Sequence, residues 1–341
     1  MGWKVLIAAK ALWTSGRQAE EELRSAGCEL VRVEDAGKPS EARLIELLQG
    51  CRASFAAMEP YTARVFAACP DLALVSRCGI GIDAVDLPAA TEAGVLVTNT
   101  PGAMTDAVAD LTFAFLLAAA RRIVEMHEAV RSGGWGEFPG VLVFGKTLGL
   151  VGFGRIGQAV ARRAAGFDMK LLAYDPAASR PDAPRYEPNL PPVEFVTLEE
   201  LLQRADFVSL HAPSLPETQG LFNAARFAAM KPSAYFINTA RGSLVDEEAL
   251  VRALETGQIA GAATDVFRQE PLPEDHPLRR APNLLLSPHN GFNARECAAA
   301  MCLATARNIT AILRGERPET VVNPAVWSSP RLRLPGALEK P

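Results

Sequence analysis

The sequence predicts an α/β protein with two doubly wound parallel sheets, each covered by helices. Short apolar runs alternate with amphipathic helical patterns in two separate series, which is typical of parallel sheets. A glycine pattern, G-x-G-x-x-G, stands where the first strand of the second series meets a helix. The chain has 341 residues, so it is long enough for two domains with separate cores.

The first series occupies about the first hundred residues. Its strand-like runs are KVLIAA, CELVRV, RASFAAM, LALVSRC and VLVT, and helical patterns such as RQAEEELRSAG and EARLIELLQG separate them. After Pro101 and Gly102 the pattern changes, and it predicts one long helix over residues 105 to 133.

The second series runs from TLGLVG through LLAYD, FVSLHA, YFINTA and IAGAATDVF to LLLSPH. Within it, the many prolines of residues 176 to 195 predict an irregular surface connection. A helix is expected over about residues 294 to 314, ended by Gly315 and followed by a Pro-rich tail.

Composition and charge narrow the class of protein. The net charge is −4 with acids and bases interspersed, so we expect no nucleic-acid partner. The longest apolar stretch, residues 107 to 120, is too short to span a bilayer, and the N-terminus reads as a strand rather than a signal peptide. We therefore expect a cytoplasmic protein without a membrane partner. The six cysteines form no C-x-x-C pair, which favours small buried side chains over metal sites or disulfides.

The glycine pattern predicts a dinucleotide site of the Rossmann type. Gly152 permits the tight turn, Gly154 lets the backbone approach a pyrophosphate, and Gly157 allows close packing of helix and strand. Asp175 ends the next strand, where a carboxylate accepts hydrogen bonds from the adenosine ribose and repels a 2′-phosphate. This favours NAD over NADP, a preference that Arg180 would soften. The alternative is a tight turn without a ligand.

The stretch LLLSPHNGFN, residues 284 to 293, places a histidine just after an apolar run. The three leucines suit a strand buried on both faces, and Pro288 ends the pairing because it lacks a backbone donor. His289 is then either a satisfied histidine at the end of a strand or a proton-transfer group at the edge of a sheet.

Several long motifs resemble the D-isomer-specific 2-hydroxyacid dehydrogenase family, and within it the short-form D-3-phosphoglycerate dehydrogenase-like group. They are SRCGIGIDAVDL, NTPGAMTDAVADLTFAFLLAAARR, KTLGLVGFGRIGQAVARRAAGFDMKLLAYDP, MKPSAYFINTARGSLVDEEAL, AATDVFRQEPLP and SPHNGFNARE. The resemblance implies a discontinuous, flavodoxin-like substrate domain over residues 1 to 103 and 293 to 341. It also implies an NAD-binding Rossmann domain over residues 104 to 292, with a cleft between the domains.

The resemblance also implies roles for individual residues. Arg241 matches the arginine that holds the substrate carboxylate and carbonyl oxygen, His289 matches the catalytic acid/base, and Glu270 matches the acid paired with it. Asp265 matches an acid beside the nicotinamide carboxamide. Further cofactor contacts are implied at Arg155, Ile156, Ala212, Thr239, Ala240 and Gly291, and also at Arg241 and His289 themselves. Further substrate contacts are implied at Arg77, Gly79 and Ile80.

The chemistry makes the same demands. Removal of a hydride from C2 must be coupled to removal of the hydroxyl proton, which a histidine can accept. A carboxylate beside the imidazole fixes its tautomer and stabilises its charged form, and a planar guanidinium fits a substrate carboxylate. All three groups are predicted at carboxyl ends of strands, where ligands bind to open sheets.

Alternatives remain for the substrate and for the function. The first expectation is an NAD-dependent D-3-phosphoglycerate dehydrogenase of serine biosynthesis, with Lys10, Arg17 and Arg77 as candidates for holding phosphate. Hydroxypyruvate or glyoxylate reduction is the second, and a D-lactate-type enzyme is also considered. A non-enzymatic alternative is an NAD-sensing protein similar to the corepressors that share this fold. A homodimer built on the helix over residues 105 to 133 is implied by the resemblance.

Overall fold

A computed structural model describes residues 2–33, 39–178 and 189–334. The chain divides into two compact units, the first comprising Met1–Met104 with Asn293–Pro341 and the second comprising Thr105–Phe292. The boundary therefore lies one residue after the expected one, because Met104 packs against the core of the first unit. Arg180 and the end of the Pro-rich tail lie outside the described residues.

The first unit contains a five-stranded parallel sheet. Its strands are β1 (Lys4–Ile7), β2 (Glu29–Arg32), β3 (Ala53–Ala56), β4 (Leu74–Arg77) and β5 (Leu96–Thr98). They lie in the order β2-β1-β3-β4-β5, which is the flavodoxin-like order. The predicted fold class is therefore confirmed for this unit.

Five helices connect these strands, and they are α1 (Ala11–Ser15), α2 (Arg17–Ser25), α3 (Glu41–Leu48), α4 (Ala63–Ala68) and α5 (Leu87–Glu92). Side chains mark where three of them begin: Ser40, Thr62 and Asp86 each accept a hydrogen bond from a backbone N–H in the first turn. The helices cover both faces of the sheet, with Leu23 in the core on one face and Leu44 in the core on the other.

The second unit begins with two helices where the sequence predicted one. They are α6 (Thr105–Arg121) and α7 (Ile123–Arg131), and Arg122 between them has a left-handed backbone with φ +54°. The contacts of Arg122 compensate for this conformation, because its guanidinium pairs with Glu125 and lies 5.7 Å from the Phe138 ring centre. The prediction of a single long helix over residues 105 to 133 was wrong.

The second unit contains a seven-stranded parallel sheet. Its strands are β6 (Thr147–Val151), β7 (Lys170–Tyr174), β8 (Val193–Phe195), β9 (Phe207–Leu210), β10 (Tyr235–Asn238), β11 (Gly261–Thr264) and β12 (Leu284–Leu286). Helices α8 (Arg155–Ala165), α9 (Leu198–Arg204), α10 (Ala224–Ala228) and α11 (Glu247–Glu255) accompany them. The order β8-β7-β6-β9-β10-β11-β12 reverses between β6 and β9, as in doubly wound dinucleotide-binding sheets.

The two outer strands of this sheet depart from the prediction. The end of the supposed irregular connection forms β8, which among the described residues pairs only with β7, so a short edge strand follows Pro191 and Pro192. Strand β12 lies at the other edge of the described sheet and pairs there with β11. Its leucines are therefore half-buried or exposed rather than buried on both faces, and Leu286 is 37% exposed.

Alternating residues of the central strands fill the cores on the two faces of the second sheet. Phe207 lies in the core beside α6 and α8, whereas Val208 lies in the core beside α9 and α11. The last helix, α12 (Arg295–Leu313), returns to the first unit and ends before Gly315, as predicted. Among the helices that the structure describes, none is both long enough and apolar enough to cross a bilayer.

Candidate active site

Four polar residues of the second unit follow three neighbouring strands. Arg241 comes after β10, Asp265 and Glu270 come after β11, and His289 comes after β12. Because these strands are parallel and adjacent, their carboxyl ends meet at one edge of the sheet, where open α/β sheets bind ligands.

His289 and Glu270 form a hydrogen-bonded pair. The Nδ1 atom of His289 lies 2.7 Å from Glu270 Oε2, and about a third of each side chain is exposed. Glu270 Oε1 accepts a second hydrogen bond, at 3.0 Å, from the backbone N–H of Phe267. Since an ionised carboxylate only accepts, Nδ1 carries the proton, and Nε2 is the nitrogen left for exchange with another molecule.

Glu270 is held in its charged form. Burial raises the pKa of its carboxyl group, but the hydrogen bonds from His289 and Phe267 and the positive charge of Arg241 outweigh burial. The net result is a pKa below the ordinary value for glutamate. The carboxylate is therefore ionised throughout the neutral range.

The Arg241 turn is supported from two sides. The side chain of Asn238 accepts from the Ala240 N–H and donates to the Arg241 carbonyl, both at 3.0 Å. On the other side, a Cβ atom at Gly242 would lie 2.0 Å from the Phe267 carbonyl carbon, so only glycine permits this approach. The turn that carries Arg241 thus packs directly on the segment that leads to Glu270.

Asp265 secures the loop that carries His289. Its buried carboxylate accepts hydrogen bonds from the N–H groups of Asn290 and Gly291, both at 2.7 Å, and from the Ser287 hydroxyl. Its carbonyl oxygen accepts from the His289 N–H at 2.7 Å. In the structure this carboxylate holds the loop, and the place beside a nicotinamide that the resemblance implies for Asp265 stays a prediction. These contacts fix His289, whose φ is +53°, in a left-handed backbone conformation.

The glycine-rich turn lies at the reversal of strand order. Gly152 has φ +95°, and a Cβ atom there would lie 2.7 Å from the carbonyl carbon of His211, after β9. A Cβ at Gly157 would lie 2.4 Å from the Gly152 oxygen, so both positions require glycine for packing. Gly154 differs, because a Cβ there would meet no atom within 4 Å.

Asp175 closes the same turn. One carboxylate oxygen accepts from the Phe153 N–H and the other from the Ala177 N–H, each at 2.8 Å. Of the other expected cofactor residues, Ala212 follows β9, while Thr239 and Ala240 follow β10, so they share the carboxyl edge. Thr239 is buried and its hydroxyl lies 2.9 Å from that of Thr112 on α6.

His211 does not qualify as a second acid/base. Burial lowers its pKa to about 3, so the imidazole is neutral at physiological pH. Its Nε2 atom lies 2.9 Å from the Ser209 hydroxyl, and its Nδ1 atom is buried without a hydrogen-bond partner in the described part of the chain.

The expected substrate loop of the first unit follows β4. Arg77 is 9% exposed, and its guanidinium donates to the Cys78 carbonyl and lies 2.9 Å from the Met58 sulfur. Arg77 thus supports its own loop. The Gly79 N–H donates to Thr100 Oγ1 at 3.1 Å, whereas the Ile80 N–H donates to no other described residue. Backbone contacts with substrate stay predictions for both Gly79 and Ile80.

Comparison with known proteins identifies the family. The model of the D-isomer specific 2-hydroxyacid dehydrogenase NAD-binding domain matches residues 113–291. The chain belongs to this family. A glyoxylate reductase of Korarchaeum cryptofilum is 44% identical over 90% of this chain and 92% of its own.

Solved structures agree with this assignment. The TT0316 protein of Thermus thermophilus has a TM-score of 0.83 and 40% identity over 94% of this chain and 99% of its own. A glyoxylate reductase of Paecilomyes thermophila has a TM-score of 0.82 and 30% identity, covering 94% of this chain and 98% of its own. The protein is an NAD-dependent oxidoreductase of the 2-hydroxyacid dehydrogenase type, and its predicted fold class is confirmed.

The glycine-rich turn of this dehydrogenase fits NAD. Gly154 leaves open space before α8, and the first turn of that helix, which contains Arg155 and Ile156, presents backbone N–H groups without helical partners. Asp175 retains lone pairs beyond its two backbone contacts, as binding of ribose hydroxyls requires. These residues would hold the pyrophosphate and the adenosine ribose.

Sequence reasoning missed the supporting residues of the dehydrogenase. Asn238 and Ser287 each lie at or just after a strand end and hold a functional turn through hydrogen bonds. A local signal existed, since Asn and Ser at strand ends commonly bond to neighbouring backbone. The partner of Ser287, however, is 22 residues away, so this contact becomes visible only in the folded chain.

Proposed function

We propose that this dehydrogenase reduces a small 2-oxo acid of the glyoxylate or hydroxypyruvate class with NADH. His289, Glu270 and Arg241 are the proposed catalytic residues. The observation that carries this proposal is the contact of 2.7 Å between His289 and Glu270, with the Arg241 charge acting on the same carboxylate. An imidazole poised by a carboxylate beside a guanidinium matches what reduction of a 2-oxo acid requires.

In the proposed mechanism Arg241 binds the substrate carboxylate, which orients the carbonyl carbon. Its planar guanidinium can donate two parallel hydrogen bonds, which fix both position and orientation. Reduced nicotinamide, when bound, supplies a hydride to that carbon. His289 then gives its Nε2 proton to the carbonyl oxygen, while the proton on Nδ1 stays there and is donated as a hydrogen bond to Glu270. Glu270 thereby stabilises the protonated imidazole before transfer.

Two observations favour an unphosphorylated substrate over the expected 3-phosphoglycerate. The relatives reported above that carry a specific activity in their names are glyoxylate reductases. Among the candidate phosphate ligands, Arg77 contacts the Cys78 carbonyl and the Met58 sulfur, and Arg17 pairs with Glu21 at 3.0 Å. Lys10 precedes α1 on the surface. We therefore place glyoxylate and hydroxypyruvate ahead of phosphoglycerate.

A substrate panel tests this proposal. NADH oxidation would be followed by absorbance with glyoxylate, hydroxypyruvate, pyruvate and 3-phosphohydroxypyruvate, each over a range of concentrations. The proposal expects the highest kcat/KM for glyoxylate or hydroxypyruvate. A kcat/KM at least tenfold higher for the phosphorylated acid would contradict the substrate assignment. No turnover with any of these acids would contradict the reductase.

We also propose that two copies of the chain associate through the region from α7 to residue 144. Several large apolar side chains are exposed there: Ile123, Val130, Trp135, Leu142 and Phe144. Trp135 is 94% exposed, and apolar side chains clustered in this way mark protein interfaces. The same face borders a cavity of about 490 Å³, lined partly by Val124, Pro139 and Leu284.

A further inference from the structure

Glu247 is a buried carboxylate that lies near the proposed catalytic residues and takes no part in the proposed mechanism. It is the first residue of α11, and its side chain is 11% exposed. One oxygen, Oε1, accepts a hydrogen bond from the Arg268 N–H at 2.8 Å. The other, Oε2, lies 3.3 Å from Nε2 of His276.

The tautomer of His276 follows from its own contacts. Its Nδ1 atom accepts from the Leu278 N–H at 3.3 Å, so Nδ1 carries no proton in this arrangement. Nε2 is therefore the protonated nitrogen of the neutral ring, and it lies 3.3 Å from Glu247 Oε2.

The segment held by Glu247 leads directly to Glu270. Arg268 is bonded to Glu247, and its neighbour Phe267 donates its N–H to Glu270 Oε1 at 3.0 Å. The backbone of the same two residues packs against Gly242, beside Arg241. A shift of this segment would therefore move Glu270 and, through the contact of 2.7 Å, the imidazole of His289.

A simpler explanation for an acid at the start of a helix is its favourable interaction with the helix dipole. The neighbouring residue Glu248 shows what this interaction alone accounts for. Glu248 also lies in the first turn of α11, where a negative charge favours the helix dipole. Its side chain is 83% exposed and pairs with Arg252, at 3.5 Å. The dipole therefore accounts for an exposed acid, but it does not account for burying Glu247, which is unfavourable unless hydrogen bonds compensate.

We propose that Glu247 is a positioning residue: by holding the Arg268 N–H, it sets the position of Glu270 and thereby maintains the hydrogen bond between Glu270 and His289. The kinetic consequence rests on the proposed function, but the effect on the imidazole does not. The role would be shared with His276, which fixes the second oxygen of Glu247.

The test compares Glu247→Ala with the matched control Glu248→Ala. The chain has four histidines, so imidazole resonances can be assigned by substitution and followed by NMR. In Glu247→Ala, the Nδ1 proton resonance of His289 should move upfield of its wild-type position, because this proton is hydrogen-bonded to Glu270 and a displaced Glu270 weakens the bond. The control should leave this resonance unchanged.

Kinetics supply a second readout through a double-mutant cycle. We expect Glu247→Ala to lower kcat for glyoxylate reduction on the order of tenfold, less than the ~100-fold loss of a direct catalytic contact. In the Glu270→Gln background the same change should have little further effect, because it acts through Glu270. Glu247→Gln should restore most of the activity, since its amide oxygen can still accept from Arg268.

An unchanged Nδ1 proton resonance of His289 in folded Glu247→Ala would overturn the proposal. The proposal would also be overturned if Glu247→Ala lowered kcat by the same factor in the wild type and in the Glu270→Gln background. If Glu247→Ala does not fold, His276→Ala replaces it, and a smaller shift of the resonance in the same direction is expected. No shift in folded His276→Ala would then overturn the proposal. Absence of turnover in the wild type would contradict the proposed function only, because the NMR measurement would still test Glu247.

Discussion

The arrangement around Arg241 explains why a guanidinium, rather than a simple positive charge, stands at this position. Its turn is fixed by Asn238 on one side and by the Gly242 contact on the other. A rigid base of this kind allows a planar group to meet a carboxylate in one orientation. The positive charge also contributes to the low pKa of Glu270.

Arg241→Lys should lower kcat/KM for the 2-oxo acid by about a hundredfold, because an ammonium keeps the charge but loses the paired donors. Steady-state kinetics would measure the loss, and fluorescence titration would show whether NADH binding is unchanged. Arg252→Lys, on the exposed face of α11, is the matched control and should retain activity. Equal kinetics for Arg241→Lys and the wild type would exclude the paired contact.

His211 makes the stability of the second unit depend on pH. Its folded pKa, about 3, lies below its ordinary value of about 6.5, so the unfolded chain binds a proton that the folded chain does not. The contribution of the neutral His211 to the free energy of unfolding is fully present above pH ~6.5 and is lost as the pH falls towards 3.

Urea unfolding at several pH values would measure this effect. Between pH ~6 and ~4.5 the free energy of unfolding of the wild type should fall by roughly 1 kcal/mol per pH unit more than that of His211→Gln. Glutamine keeps a group able to bond with Ser209. Parallel pH dependences for the two proteins would show that His211 is not held neutral in the folded state.

At the scale of elements, different glycines of the glycine-rich turn serve packing and ligand binding. Gly152 combines a positive φ with a close contact to the backbone after β9, whereas Gly154 has neither constraint. The same motif therefore contains one glycine required by the fold and one that the fold would allow to change.

Gly152→Ala should destabilise the protein, because strain at positive φ alone costs about 1 kcal/mol and the backbone contact adds to it. Gly154→Ala should leave the urea midpoint of the ligand-free protein nearly unchanged but raise the Kd for NADH about tenfold, since the methyl group enters the space meant for pyrophosphate. Unimpaired NADH binding in folded Gly154→Ala would contradict this placement of the cofactor.

The strands and the site could be predicted from sequence to different extents. Strands β6 and β9 to β12 are apolar and bounded by turn residues, so their periodicity revealed them. The edge strand β8 was missed because three residues after two prolines carry little signal. The break at Arg122 was missed because it involves neither glycine nor proline and is compensated by side-chain contacts.

In the candidate active site, too, sequence motifs predicted some residues and not the contacts that hold them. Arg241, Glu270 and His289 were found because each belongs to a motif of the family. The contacts that hold them, such as Asp265 with Gly291, join residues far apart in sequence. Such pairs depend on the order of strands in the sheet, which local patterns do not specify.

At the scale of the molecule, the chain builds two sheets and carries the proposed catalytic groups on one of them. All three lie in the second unit, after neighbouring strands, and so do their supporting residues. The exposed apolar side chains from α7 to residue 144 belong to this unit as well. We therefore expect self-association to involve the nucleotide-binding unit.

The double substitution Leu142→Glu with Phe144→Glu should convert a dimer into a monomer, because it places two charges in an apolar interface. Sedimentation or light scattering would measure the mass. Leu215→Glu, which charges a leucine that is 42% exposed elsewhere in the unit, is the control and should leave the mass unchanged. A monomeric wild type, or an undiminished dimer in the double variant, would contradict this interface.

The most direct test of the central claim is the effect of His289→Asn on NADH oxidation by glyoxylate, since asparagine tolerates the positive φ at this position. We expect kcat to fall by about a hundredfold or more, because the imidazole transfers the proton in the proposed reaction. The Kd for NADH should change less than about twofold, because the proposed pyrophosphate and ribose contacts of the glycine-rich turn remain. A variant with the turnover of the wild type would contradict the proposed role of His289.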